Sequence, residues 1–308
     1  MARWSEPLDR YPIDWLLEED NPSVRYLTMT RILGRSETHP EVKSARKQIM
    51  RTGVVPLILS RQSDSCWNAP GRFYRDKYRG TVWQLITLAE HEADGRDPRI
   101  RAAGEYILRC SQDAESGGFA CDQHVGTGGG LHSGVIPCLT GNMVWSLVKL
   151  GFLDDERVQR AVEWITTYQR FDDAAAEGPR GWPYDRHEMC WGRHSCHLGV
   201  VKALKALVAI PRRRRGTAVE RTIAKASEYL LAHHVHKRSH DLAKVSKPGW
   251  LKLQFPLMYQ TDALEVVDLL HEAGCSDGRM DEAIAVIASK QDAKGRWMLE
   301  STLTASSG

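Results

Sequence analysis

A segment near the middle of the chain has the residue types of a zinc site. Residues 184–197 read YDRHEMCWGRHSCH, and if they are helical, Cys190, His194 and His197 fall at i, i+4 and i+7, on one face. A thiolate and two imidazoles suit Zn²⁺, and three protein ligands leave a fourth position open for water. The alternative is structural, because free cysteine is commonly a small buried apolar residue and histidine at a helix start often bonds the backbone.

Four further side chains could act in proton transfer. Asp185 and Glu188 lie beside this histidine-rich segment and could take a proton from a metal-bound water or orient a metal-binding imidazole. His132 and Asp262, from other parts of the chain, are candidates for an additional ligand or a base. Exposed ion pairing is the commoner role for such acids, and Asp262 also fits a helix N-cap. These residues are therefore catalytic candidates with structural alternatives.

The elements that position these residues repeat along the chain. Four segments have apolar residues at helical spacing: residues 81–91, 142–153, 199–210 and 262–274. Each is followed by a second helix whose apolar residues form a single stripe, which is typical of a peripheral helix. The first helices are more evenly apolar, which is typical of buried helices. An earlier segment, 21–34, offers Asn21 as an N-cap and Pro22 in the first turn. The pattern predicts an all-α protein of about five inner–outer helical hairpins.

A short motif follows several of the second helices. Residues 291–297, QDAKGRW, fit the pattern QxxxGxW, and residues 112–119, QDAESGGF, are a variant of it. With this motif and the repeated hairpins, the chain resembles the α/α-toroid superfamily of squalene and oxidosqualene cyclases and protein prenyltransferase β subunits. The resemblance covers roughly residues 20–300. It implies an (α/α) toroid or barrel with its active cavity at the N-terminal ends of the inner helices. Such toroids normally close with about six hairpins, whereas this sequence shows about five. Either the ring is truncated, or a partner or the N-terminal segment closes it.

The resemblance makes the segments that lead into the inner helices candidate substrate-binding positions. Arg75, Lys77 and Arg193 would suit a negatively charged group, and Tyr78 and Tyr259 would line the cavity. The chain lacks the DxDD motif with which class II triterpene cyclases protonate an alkene, and it lacks the diphosphate motif DDxxD. Prenyltransferases hold zinc with an Asp, a Cys and a His, but their local motifs are absent, so the resemblance assigns no ligand by position.

Composition bounds the class of protein. The 308 residues contain 42 Lys and Arg against 39 Asp and Glu, a net charge of +3, which is too even for a nucleic-acid or membrane-surface specialist. No apolar run is long enough for a membrane span, and the acidic start lacks the apolar stretch of a signal peptide. Seven cysteines, an odd number, favour free thiols and a cytoplasmic protein. We expect an N-terminal segment (1–20), one toroid domain (21–300) and a tail (301–308).

These observations lead to a first functional hypothesis and two alternatives. The first is a zinc-dependent enzyme that hydrolyses an ester or phosphoester of a small, anionic or apolar molecule, because water activation needs only the proposed ligand set. The second is an isoprenoid transferase or cyclase-like enzyme, which would need a diphosphate site and an apolar cavity. The third is a non-catalytic helical-repeat module whose open edge binds a partner or a second copy.

Overall fold

A computed structural model describes residues 11–302, and this part of the chain is mostly helical, as predicted. Its α-helices are α1 (Ile13–Leu16), α2 (Pro22–Leu27), α3 (Pro40–Ile49), α4 (Val54–Leu59), α5 (Thr81–Glu90), α6 (Pro98–Cys110), α7 (Pro137–Lys149), α8 (Glu156–Tyr168), α9 (Glu188–Trp191), α10 (His197–Val208), α11 (Thr217–Ala232), α12 (Ala263–Glu272) and α13 (Asp281–Ala288). Two short antiparallel strands, β1 (Lys237–Arg238) and β2 (Asp241–Val245), depart from the all-α expectation.

The helices alternate between inner and outer positions. The inner helices α5, α7, α10 and α12 pack against one another in chain order, and the outer helices α6, α8, α11 and α13 each pack on the inner helix that precedes them. In α10 every residue from Gly199 to Val208 is buried. In α8 the buried residues include Val158, Ala161 and Ile165, which lie on one face. The predicted difference between evenly apolar inner helices and striped outer helices is therefore confirmed for these two.

A glycine allows the two central helices to approach closely. A Cβ atom at Gly141 in α7 would lie 2.5 Å from the backbone carbonyl carbon of Lys202 in α10, closer than real Cβ contacts come. Any larger residue would push the helices apart, because packed interiors have no spare volume. This contact fixes the spacing of the two helices whose N-terminal ends carry Cys138 and Cys196.

The QxxxGxW motif forms a compact turn after an outer helix. Gln291 and Trp297 face each other in an antiparallel bridge, and the Gln291 side-chain amide donates to the carbonyl oxygen of Gly295 at 3.0 Å. Gly295 has a φ of 80°, a conformation that favours glycine. The Trp297 indole N–H donates to the carbonyl oxygen of Ile287 in α13 at 2.7 Å. The tryptophan therefore acts as a structural wedge that ties the turn to its helix.

The first helix of the hairpin series contacts the last inner helix. α2 begins at Pro22, as predicted, but Asn21 makes no side-chain capping bond, and the helix continues as a π-helical turn, Thr28–Ile32. Arg31 in this turn lies 3.3 Å from the Glu272 carboxylate at the end of α12.

Within residues 11–302, none of the helices has the length and apolar content needed to cross a bilayer.

The predicted terminal segments are described only in part. Residues 1–10 and 303–308 lie outside the described residues, so most of the predicted tail is not addressed. Ser301, the first residue of the predicted tail, is bridged to Gln254 in the loop before α12.

Candidate functional site

Three of the predicted substrate residues lie together where the chain enters α5 and α12. The rings of Tyr78 and Tyr259 stack with their centroids 6.4 Å apart, and their hydroxyl groups are hydrogen-bonded. The Lys77 ammonium lies 4.7 Å from the centroid of the Tyr259 ring, within cation–π distance. We refer to Lys77, Tyr78 and Tyr259 as the tyrosine cluster. The structure thus brings together residues that are far apart in the sequence.

The two phenols of the tyrosine cluster ionise differently. Burial raises the pKa of Tyr78 to about 12, and its hydrogen bond to Tyr259 acts in the same direction. Burial also acts to raise the pKa of Tyr259, but hydrogen bonds from Tyr78 and Gln260 and the charge of Lys77 outweigh it, so the pKa lies below its usual value. Tyr259 is therefore the phenol that more readily loses its proton.

Four cysteine side chains converge near the tyrosine cluster, at the N-terminal ends of α7 and α10. Cys138 lies in the first turn of α7 and Cys196 is the N-cap residue of α10, while Cys121 and Cys190 precede these helices in the chain. The Cys138 side chain is near those of Cys121 and Cys196, and the Cys190 thiol is hydrogen-bonded to Cys196. We refer to these four residues as the thiol cluster.

Tyr74 connects the two clusters. Its hydroxyl is hydrogen-bonded to Cys121, and its phenol is close enough to Tyr259 for their charges to interact. Its ring lies 5.0 Å from that of Trp83, which in turn contacts Tyr259. The segments that lead into all four inner helices therefore contribute to one continuous region of phenols and thiols.

One member of the thiol cluster ionises near neutral pH. The hydrogen bond from Cys190 lowers the pKa of Cys196 to about 6, and the backbone N–H groups of Leu198 and Gly199 assist this against the effect of burial. The same Cys190–Cys196 hydrogen bond is the main reason that the pKa of Cys190 is raised. Burial raises the pKa of Cys138 to about 12. At neutral pH the cluster therefore contains a thiolate at a helix N-terminus, which is the usual environment of a reactive cysteine.

The predicted zinc ligands Cys190, His194 and His197 do not share a helical face. The short helix that contains Cys190, α9, ends one residue later, and α10 begins only at His197. The intervening residues are bonded to the preceding loop, which follows α8: the N–H of Ser195 donates to the carbonyl oxygen of Asp172 at 2.8 Å. The expectation of one continuous helix is therefore wrong, because loop hydrogen bonds replace the helical ones.

The three predicted ligands lie in different surroundings. Cys190 belongs to the thiol cluster, whereas His194 is in an exposed loop with its Nδ1 atom 3.2 Å from Asp173 Oδ1. The His197 ring stacks on Trp250 with centroids 4.3 Å apart, and both of its nitrogens are buried without a hydrogen-bond partner among the described residues. Burial lowers the pKa of His197 to about 3, so the ring is neutral.

The structure offers no assembled zinc site in the part of the chain it describes. Between residues 11 and 302, no three or more His, Cys, Asp or Glu side chains are grouped so that they could hold a metal ion. Zinc dependence therefore stays a prediction for metal analysis to test.

Two of the predicted catalytic residues have structural partners. The His132 Nδ1 atom lies 2.7 Å from Asp113 Oδ2, and the ring stacks on Trp182 at 4.2 Å. Asp262 is the N-cap of α12, where its Oδ1 atom accepts from the N–H of Glu265 at 2.9 Å. Burial raises the pKa of Asp262. The capping alternative is thus confirmed for Asp262, and the structure does not bring these two residues together.

The other two predicted catalytic residues are exposed. Asp185 lies 4.0 Å from the guanidinium of Arg186, and Glu188 is in the first turn of α9. Neither has a contact with His194, the histidine they were expected to assist, in the described structure. The ion-pair alternative describes Asp185 better than a catalytic role does.

The two predicted substrate arginines differ in position. Arg75 lines an open cavity of about 460 Å³ together with Lys77 and Cys121, but its guanidinium makes two hydrogen bonds to Asp122, at 2.5 and 3.0 Å. Arg193 lies in the loop before α10 and donates to the carbonyl oxygen of Ala175. Lys77 is therefore the better candidate for contact with an anionic group.

A buried ion cluster in the middle of the inner helices was missed by sequence reasoning. The Lys202 ammonium lies 2.8 and 2.7 Å from the two oxygens of Glu265, and Lys205 contacts Glu265 at 3.1 Å and Glu90 at 2.5 Å. The signal in the sequence was two lysines, three positions apart, within the otherwise apolar α10. A cavity of about 370 Å³ adjoins the cluster and is lined by residues that include Lys205, Glu90 and Glu265.

Sequence reasoning also left the reactive cysteine without a role. Cys196 lies inside the predicted zinc segment, where it contacts Cys190. That contact depends on the loop between the two cysteines, which helical spacing does not predict. Comparison with known proteins does not supply a role either: no protein-family model matches the chain, and no curated protein is significantly similar to it. The function must therefore be inferred from the chemistry of the site itself.

Proposed function

We propose that the hairpins form an α/α toroid, the arrangement that the resemblance implies. The order of the inner helices supports this proposal, as does the contact between Arg31 and Glu272, which links the first hairpin to the last. In such a toroid the tyrosine and thiol clusters occupy one end of the ring. A partner or second copy would cover any edge that five hairpins leave open.

Within this fold, we propose that the chain is an enzyme that hydrolyses an ester of a small anionic molecule, with Cys196 as the nucleophile. The observation that carries the proposal is the Cys196 thiolate, held by the Cys190 thiol and by backbone N–H groups at the start of α10. The thiolate replaces the zinc-bound water of the first hypothesis. Reduced thiols are required, which agrees with the expected cytoplasmic location.

The reaction would proceed through a thioester. Cys196 Sγ attacks the carbonyl carbon of a carboxylic ester, and the alkoxide leaves and takes a proton from water. The hydroxide formed in this way attacks the thioester, which releases the acid and restores the Cys196 thiolate. The N–H groups of Leu198 and Gly199 stabilise the thiolate before attack and after release. Lys77 is exposed and, within residues 11–302, has no carboxylate at ion-pair distance, so it is available to the anionic group of the substrate.

The experiment compares hydrolysis of p-nitrophenyl acetate with that of a p-nitrophenyl ester that carries a free carboxylate. We expect Cys196→Ser to abolish both reactions, whereas Cys275→Ser, at a half-buried cysteine outside the thiol cluster, leaves both unchanged. Lys77→Ala should raise KM for the anionic ester and leave the neutral ester unaffected. Full activity of Cys196→Ser would refute a cysteine nucleophile.

The same preparation tests the zinc prediction. Metal content is measured on protein purified without added metal, and activity is measured after treatment with a strong chelator. One zinc per chain that is lost in Cys190→Ala, together with loss of activity on chelation, would restore the metal-dependent hypothesis. Activity that survives chelation and is lost on thiol alkylation would support the thiolate.

An isoprenoid transferase is the second candidate, favoured by the aromatic side chains around Lys77. The Lys77 ammonium lies within 6.0 Å of the ring centroids of Tyr74, Trp83 and Tyr259. Such a surface would suit an apolar chain that ends in a diphosphate. Release of pyrophosphate from farnesyl diphosphate, lost in Lys77→Ala, would favour this candidate, and absence of turnover with both substrate classes would favour the non-catalytic module.

A further inference from the structure

Cys190 and Cys196 are positioned to form a disulfide. The Cys190 thiol is hydrogen-bonded to Cys196, and the backbone N–H of Cys196 donates to the carbonyl oxygen of Cys190 at 3.3 Å. A backbone hydrogen bond between two residues keeps their Cα atoms near the separation that disulfides span, about 4.4–6.8 Å. Small side-chain rotations would therefore bring the two sulfur atoms to bonding distance.

The pair is accessible from one side. Both cysteines are half-buried, and the residues that separate them include Arg193 and His194, which are exposed. Met189, next to Cys190, is 92% exposed. A small reagent can therefore reach this part of the thiol cluster, whereas Cys138 is buried beneath it.

The two thiols have different roles in an exchange reaction. Cys196 is the N-cap of α10, a helix of 12 residues, and the nearby backbone N–H groups of Leu198 and Gly199 favour its thiolate, so it is the attacking group. Cys190 lies in the preceding short helix, and its thiol is hydrogen-bonded to Cys196. It is therefore the group that can resolve a mixed disulfide.

We propose that Cys190 and Cys196 form a dithiol–disulfide centre that exchanges with low-molecular-weight disulfides. Cys196 Sγ attacks one sulfur of the small disulfide, whose S–S bond breaks and releases one thiolate. Cys190 then loses its proton to solvent and attacks Cys196 Sγ, which releases the second thiolate. The two protein thiols are oxidised to a disulfide, and the small disulfide is reduced to two thiols. This activity does not depend on the proposed ester hydrolysis.

Intact and peptide mass spectrometry of the full chain test the proposal. After incubation with oxidised glutathione, we expect the protein to lose two hydrogens without retaining a glutathionyl group. Tryptic cleavage after Arg186, Arg193 and Lys202 separates the cysteines, so non-reduced digests should contain residues 187–193 linked to residues 194–202. A disulfide formed only between other cysteines, or no oxidation while free cysteine in solution is oxidised, would overturn the proposal.

Single variants identify the attacking and the resolving thiol. Cys190→Ser should retain one glutathionyl group on residues 194–202, because the mixed disulfide cannot be resolved. Cys196→Ser should react at least tenfold more slowly at Cys190, and Cys275→Ser should behave as the unaltered protein. Rapid, complete disulfide formation by Cys196→Ser would contradict the assignment. Because mass spectrometry does not involve esters, it tests disulfide exchange separately from ester hydrolysis. Either proposal can therefore fail while the other succeeds.

Discussion

At the scale of single residues, Cys190 and Cys196 are chemically identical side chains that ionise differently because of their neighbours. The thiol of Cys190 and the first N–H groups of α10 favour the charged form of Cys196, whereas Cys190 is the donor in the hydrogen bond between the two cysteines. Lys247 adds a favourable charge, and Cys138 lies nearby among the groups that face the pair. Residue type alone could indicate a cysteine-rich segment, but the direction of this hydrogen bond depends on the loop between α9 and α10.

The pH dependence of alkylation tests this account of Cys196. A thiolate is the reactive form, so the rate of reaction with iodoacetamide should rise through a half-point near pH 6 and level off above about pH 7, whereas an ordinary thiol has its half-point near 8.5. Cys190→Ala removes the main stabilising hydrogen bond and should move the half-point upward by about one unit. The rate is measured on tryptic residues 194–202, and a half-point above pH 8 in the unaltered protein would contradict the assignment.

His197 predicts a loss of stability in mild acid. The folded protein keeps this ring neutral down to a pKa of about 3, while the unfolded chain takes up the proton near pH 6.5. Below pH 6.5 the unfolded state therefore binds more protons, and the stability contributed by the neutral ring is lost as the pH falls from 6.5 toward 3.

His197→Phe should reduce that acid sensitivity. Phenylalanine can retain the stacking on Trp250 and removes two buried nitrogens that lack partners. We expect the urea midpoint of the variant to fall less between pH 7 and pH 5 than that of the unaltered protein. His124→Phe, at an exposed histidine, is the control. Equal falls for all three proteins would show that His197 does not titrate on unfolding.

At the scale of elements, helix type and order could be predicted from the sequence because apolar spacing is a local property. α5, α10 and α12 begin within about two residues of the predicted segments, whereas α7 begins at Pro137, ahead of the predicted start. The break between α9 and α10 could not be predicted, since it depends on a hydrogen bond from Ser195 to Asp172 in the preceding loop. Because of that break, Cys190, His194 and His197 do not share a helical face.

The buried ions of α10 and α12 give a prediction about stability. Lys202 is 0% exposed and its ammonium donates to both oxygens of Glu265, so Glu265→Gln would remove the counter-charge that the ammonium contacts directly. We expect a loss of about 3–5 kcal/mol in the free energy of unfolding, measured by urea denaturation. Glu228→Gln, which breaks an exposed pair with Arg279, should cost less than about 1 kcal/mol. Similar losses in the free energy of unfolding for the two variants would mean that water or another side chain stabilises Lys202 in Glu265→Gln.

At the scale of the whole molecule, the inner–outer alternation could be predicted but the convergence of side chains could not. Tyr78 and Tyr259 approach from opposite ends of the hairpin series, and Arg31 contacts Glu272 across an even larger separation in sequence. The spacing of residues along one helix does not predict contacts between residues of different hairpins. The resemblance supplied an expected location, the N-terminal ends of the inner helices, and the proposed site uses that location with a thiolate in place of the expected metal ligands.

Met29 tests whether the first hairpin and the later ones unfold as one unit. Met29 is 1% exposed, and near it Ser23 donates to the carbonyl oxygen of His91 at the end of α5. Met29→Ala should therefore lower the free energy of unfolding by about 2–5 kcal/mol. Met189→Ala, at a methionine that is 92% exposed, should have little effect.

Hydrogen exchange measured by mass spectrometry locates the effect of Met29→Ala. If residues 21–300 form a single cooperative domain, the slowest amides of α10 exchange faster by the same factor as those of α3, because both exchange only when the whole domain unfolds. Acceleration confined to α2, α3 and α4 would instead mean that the first hairpin opens alone. In that case α12 would lose its contact with Arg31 in the open form, and the hairpin series could not be one cooperative ring.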